Sequence, residues 1–196
     1  MKPLNELSLK TFTSELAQTR FPTPAGGAAC AACLAMAAGL WEMCCAVSAR
    51  RAAAPGLWEE RAQLARMLRQ SSLALIQADT DAYEKVIQAS KQRAVRPQDW
   101  PLAVREATAT LRTMGENALT LLQQMAAVSE ETAPSVRGDL VTAAHLSHAC
   151  LEAACCSIAI NGRIAGDPGW EDKMDGLVRD LRAKGPLLRD AIVAKP

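Results

Sequence analysis

A chain of 196 residues that is 49% hydrophobic but only 4% aromatic can bury one sizeable core made of Ala, Leu, Val, Met and Cys, the composition of close-packed helices. A formal net charge of +1 and the lack of any long Lys/Arg block leave no electrostatic footprint for nucleic acid or an anionic membrane. The seven cysteines are odd in number and helically spaced, and MKPLNELSLK lacks an export signal's apolar core, so reduced cytoplasmic thiols are expected in place of a disulfide framework.

Ser8 stands ahead of Leu9, Phe12 and Leu16, which recur at helical spacing and predict a short first helix. The motif PTPAGG then sets a bend over residues 21–27, with Pro22 and Pro24 fixing φ and Gly26 and Gly27 offering φ values denied to other residues. Beyond it a run of Ala, Cys, Leu and Met continues to about Arg51, uncharged over residues 28–41. A surface helix would carry a polar stripe, so this one is expected to be enclosed on all sides, by a bundle or by a second subunit. Its length approaches the ~20 residues of a bilayer span. Ala and Gly drive insertion poorly, Glu42 interrupts the run and no comparable partner span is read, so no membrane is expected. Cys30 and Cys33 form a C-x-x-C without the strand, turn or basic neighbour of a redox pair and read as small buried hydrophobes.

Pro55-Gly56 reads as the stop of that helix, and the next begins near Leu57, with an apolar face through Leu64, Leu68, Leu75, Ala82 and Val86. Asp79 falls on this same face, with Tyr83 one turn on. A carboxylate there needs a cation, a donor or a wet cavity in front of it. After a two-proline loop over residues 93–101, helical spacing resumes from Leu102 to about Val128. A second Ala/Cys-rich helix follows over residues 140–160, with Asp139 as its N-cap and Asn161-Gly162 as a left-handed stop. GDPG at residues 166–169 turns the chain into a last helix from Trp170 to about Val193. The expected fold is an all-α, up-and-down bundle in a single domain, with the two Ala/Cys-rich helices as a central pair.

No phosphate loop, zinc-protease motif, serine elbow or dinucleotide fingerprint is present. His145, His148 and Glu152 lie one turn apart each, half of a metal site, but no second histidine-bearing helix completes it and no metal is expected. Asp79 is the candidate catalytic group, because a carboxyl in an apolar stripe has a pKa raised toward neutrality; the competing reading is a structural acid paired with an arginine.

The order SLKTF, PTPAGG before an Ala-rich helix, ADTDAY, then GDL before an Ala-rich helix ending IAIN resembles the formiminotetrahydrofolate cyclodeaminase and methenyltetrahydrofolate cyclohydrolase family over nearly the whole chain. The resemblance implies a helical homodimer that binds a tetrahydrofolate derivative near the subunit interface without metal or redox cofactor. It further implies Asp79 as the proton-transfer group, Asp139 positioning water or substrate, and Pro24, Gly26, Gly27, Tyr83 and Asn161 against the substrate. Ala25 stands where the family usually has a first glycine, and Thr132-Ala133 and Gly138 where it usually has Gly-Asn and Ser. The lost hydrogen-bonding groups keep open a folate binder without turnover, and the cysteines with the histidine pair keep open a metal-binding helical bundle.

Overall fold

Segments rich in Ala, Leu, Met and Cys, with few β-branched residues and Pro or Gly at their edges, become the six helices of the computed structural model, which describes residues 3–20 and 23–194. They are α1 Leu9–Leu16, α2 Gly26–Ala49, α3 Pro55–Lys91, α4 Asp99–Ala127, α5 Arg137–Ile164 and α6 Pro168–Val193, with 3-10 turns at Leu4–Glu6 and Pro134–Val136. No strand occurs among the described residues. Ser8 caps α1 by accepting from Thr11 N–H at 3.2 Å, and Phe12 carries its buried face. Phe21 and Pro22, where the expected bend begins, lie outside the described residues.

Consecutive helices run antiparallel, and their cross-contacts fix the register. Arg69 of α3 bonds Glu42 of α2 at 2.9 Å, Asn117 of α4 reaches Ser71 of α3 at 3.2 Å, and Arg182 of α6 reaches Glu152 of α5 at 2.9 Å. The two Ala/Cys-rich helices face each other as expected. The Cys30 thiol donates to Cys150 O at 3.4 Å, the Cys150 thiol donates to Cys30 O at 3.2 Å, and Cys44 Sγ meets Val136 O at 3.6 Å. Ala and Cys let these backbones close up, and Leu34, Trp41, Met114, Leu121 and Leu151 fill the core around them.

Several boundaries differ from the sequence reading. Pro55 does not stop α2; it opens α3 in the first turn, where a missing N–H costs nothing. The 3-10 turn at Pro134–Val136 feeds straight into α5, so the helix begins at Arg137 and Asp139 lies inside its first turn instead of capping it. Asn161-Gly162 does not end α5, because Gly162 lets α6 approach: a Cβ there would sit 3.4 Å from Met174 Cβ. The left-handed stop is Gly166, φ 75°, and Asp167 caps α6 through Trp170 N–H at 3.1 Å. Nor is α2 enclosed by its own chain, since Met36 is 51% exposed on an otherwise uncharged face. Two stretches, Gly26–Ala49 and Pro134–Ile164, are long and apolar enough to cross a membrane, so α2 does have a comparable partner. The small apolar residues that pack two core helices together pass the same composition test.

Candidate active site

The bend before α2 is held by Thr23, whose hydroxyl donates to Glu15 O at 2.7 Å, and by the buried Pro24. Helix α2 then starts at Gly26 with Ala25 at its N-cap and no capping side chain of its own. Its orphan N–H groups find a partner on another helix. Asp79 of α3 points its carboxylate at the first turn of α2 and accepts from Ala28 N–H, while the Thr110 hydroxyl of α4 donates to it from the other side. Three helices thus converge on one carboxyl.

Gly27 makes this approach possible. A Cβ on residue 27 would lie 2.5 Å from Asp79 Oδ2 and closer still to the rest of the carboxyl. Neither Gly26 nor Gly27 uses the left-handed backbone that the sequence suggested; both are ordinary first-turn helical residues, and Gly26 faces open space. The glycine at 27 is there for room.

Among the described residues no arginine pairs with Asp79. Burial pushes its carboxyl up to about 6, against the lowering pull of the Ala28 N–H and the Thr110 hydroxyl. Such a group exchanges a proton near neutral pH, and its neighbours are donors that stabilise the charged form without neutralising it.

Tyr83, one turn along α3, borders a pocket of about 130 Å³ with Thr23, Thr80, Glu84 and Ile87. A larger cavity of about 350 Å³ has Pro24, Thr23, Thr80, Leu7 and Glu84 in its wall. Asp79 turns to the α2 and α4 side of α3 and lines neither of these cavities, although its neighbour Thr80 lines both. Asn161 sits at the same end of the bundle. From the Cys30–Cys150 register it lies ~10 Å beyond the first turn of α2 along the helix axes.

Asp139 is elsewhere. Its charge acts on the Cys44 thiol, at the far end of α2 and ~25 Å from Gly27 at the helical rise of ~1.5 Å per residue. A single chain therefore does not bring Asp79 and Asp139 to one substrate atom. Of the histidine pair only His148 is engaged by α6, where Arg189 meets its Nδ1 at 3.3 Å, while His145 is exposed; Arg182 bonds Glu152. Among the described residues no group of three or more His, Cys, Asp or Glu side chains is arranged to hold a metal ion.

The model of the formiminotransferase-cyclodeaminase family matches residues 8–179. The chain belongs to this family. Its fold matches a solved structure of formiminotetrahydrofolate cyclodeaminase from Thermotoga maritima with a TM-score of 0.89 at 23% identity, covering 96% of this chain and 95% of that one. No curated protein sequence matches the chain. Membership places it among enzymes of folate one-carbon metabolism with cyclodeaminase-like chemistry. Two elements of the site, Thr110 and the Ala28 N–H, had no signal in the sequence, because only the packing of α2, α3 and α4 makes them neighbours of Asp79.

Proposed function

We propose that this protein acts on the one-carbon unit between the two reactive nitrogens of tetrahydrofolate, either closing 5-formiminotetrahydrofolate to the 5,10-methenyl form with loss of ammonia or hydrolysing the methenyl form to 10-formyltetrahydrofolate. The observation that carries the reading is the Asp79 carboxyl, raised to about 6 and set against the α2 N-terminus. With that pKa most of the groups are ionised at neutral pH and roughly one in ten holds a proton, so one residue serves as base toward water or as acid toward departing ammonia. The reacting carbon is already electrophilic, so a metal or redox cofactor has no step to perform. Pro24, Gly26, Gly27, Tyr83 and Asn161, all at the same end of the bundle, are the surfaces offered to the substrate, and the first-turn N–H groups of α2 favour a partially negative oxygen. Asp139 is left outside this reacting centre.

The reading includes a cytoplasmic homodimer, with a second copy over the uncharged face of α2 around Met36; sedimentation as a strict monomer would remove that part. Absorbance of the methenyl chromophore tests the rest. It grows if formiminotetrahydrofolate is cyclised, falls if methenyltetrahydrofolate is hydrolysed, and an enzyme that binds both while changing neither is a folate-binding protein instead.

A further inference from the structure

The end of the bundle opposite Asp79 holds a cavity of about 390 Å³ between the α2–α3 turn, the first turns of α3 and the link from α4 to α5. Trp58, Leu57, Ala52 and Val128 give it an apolar wall, and Arg51, Arg61 and Glu131 bring charge to it. Among the described residues neither arginine has a carboxylate partner: Arg61 donates to the neutral amide oxygen of Gln124, and Arg51 is exposed with no side-chain bond. Ser48 also lines the cavity. It is 2% exposed, its hydroxyl oxygen accepts from Ala133 N–H at 3.0 Å, and its own proton meets no acceptor among the described residues. Helix α3 starts at this wall, with Ala54 at its N-cap and no side chain to take up its first N–H groups.

We propose that this cavity is a second ligand site, which binds a small organic carboxylate carried on a flat apolar body. The carboxylate lies between Arg51 and Arg61, and the body lies along Trp58. The unspent groups of the arginines, of Ser48 and of the α3 N-terminus are all donors, so the ligand group that matches them is an oxyanion that only accepts. The apolar wall matches the rest of the ligand, and the volume is that of a small-molecule site and too large for a bare ion.

Charge selects a carboxylate over a phosphate. Two guanidinium groups against the single Glu131 carboxylate leave one positive charge in the wall, which a carboxylate balances. A phosphate monoester carries close to two negative charges at neutral pH, so one would remain uncompensated beside Glu131. Position separates this site from the two surfaces already described. Ser48 lies ~30 Å from Gly27 along α2, at the helical rise of ~1.5 Å per residue, so a ligand here does not touch Asp79. Ser48 is also turned ~120° around α2 from Met36, so a second copy seated on the Met36 face leaves the cavity open.

The test is equilibrium dialysis of the purified full-length protein against radiolabelled benzoate, with no folate present, so its result is independent of the Asp79 reading. The expected result is one saturable site per chain. Arg51→Gln and Arg61→Gln should each weaken binding ~10-fold or more, because each removes a charge-assisted hydrogen bond, whereas Arg93→Gln at the other end of the bundle should leave it unchanged. In competition, acetate, which lacks the flat body, and phenyl phosphate, which carries the extra charge, should each need ~10-fold more than benzoate to displace the label. Benzoate that does not saturate by ~10 mM, or that binds wild type and Arg51→Gln alike, would overturn the site. Acetate as effective as benzoate would overturn the role of Trp58, and phenyl phosphate binding more tightly would overturn the carboxylate assignment. The wild-type titration and competition decide these points should a variant fail to fold.

Discussion

Gly27→Ala is a one-carbon change whose sign depends on a side chain 52 positions away in the chain, and that makes it a sharp probe of the site. On an ordinary helix the substitution stabilises by up to ~1 kcal/mol, because alanine is the better helix former. Here the new methyl would fall 2.5 Å from Asp79 Oδ2 and nearer to the rest of the carboxyl, so the carboxylate must retreat by more than ~1 Å to reach ordinary contact distance. Retreat breaks the bond to Ala28 N–H, a charge-assisted hydrogen bond worth ~1.5–3 kcal/mol. The net expectation is a loss of ~1–2 kcal/mol at pH 7 in urea unfolding, with turnover down ~100-fold from the displaced carboxyl. In an Asp79→Ala background the obstruction is gone and the same Gly27→Ala change should stabilise. A double-mutant cycle reads this reversal as a coupling of ~2 kcal/mol or more. If Gly27→Ala shifts stability equally with and without the carboxyl, the two residues are not in contact and the geometry of the site is wrong.

Two further outcomes follow. Because folding raises the Asp79 pKa from 3.8 to about 6, the ionised group weighs against the fold. Below pH 3.8 both states hold the proton and nothing is lost; between 3.8 and 6 the unfolded chain ionises first, and stability falls by ~2–3 kcal/mol, a loss that is complete above pH 6. Asp79→Asn, with no proton to lose, should gain on the wild type by that amount between pH 4 and pH 7 in urea titrations while losing turnover ~100-fold or more; a stability difference that is flat with pH refutes the burial argument. Asp139→Asn should leave kcat within a few-fold of wild type, since Asp139 lies at the other end of α2, and a ~100-fold loss would mean that a second copy carries it to Asp79.

The fold was largely legible because helix formation and burial are written in periodicity. The uncharged residues 28–41, the Asp79 face and the matched composition of residues 140–160 each reported a local property that packing then used. What escaped were properties that belong to pairs of distant residues. Gly27 read as a backbone hinge, since a glycine needed for φ and one needed for room look alike until Asp79 is placed beside it. Asp139 read as a site residue from its motif, yet nothing local reports that it lies at the opposite end of α2. The Asn-Gly at 161–162 carried a strong stop signal that the approach of α6 overrode.

Asp79 holds a proton near neutrality only as a balance, with burial on one side and two donors on the other, and Thr110 is the donor that can be removed alone. Its hydroxyl carries one proton and has two acceptors in reach, the carboxyl of Asp79 and Ala107 O at 2.8 Å. A hydrogen bond to an ionised acceptor is roughly twice as strong as one to a neutral acceptor, so the hydroxyl turns to Asp79 when the carboxylate is charged and to Ala107 when it is not. The Ala107 carbonyl has its helical N–H partner in either case and loses little. Thr110→Val keeps the β-branched shape and the helix while deleting the donor, so the Asp79 pKa should rise above about 6. In the pH dependence of kcat/KM for hydrolysis, where the carboxylate is the base, the acidic limb should move to higher pH while the plateau rate changes little. A structural role for Thr110 would lower stability and leave the limb in place. An acidic limb that stays where it was in a fully folded Thr110→Val enzyme would mean that Asp79 is not the titrating base.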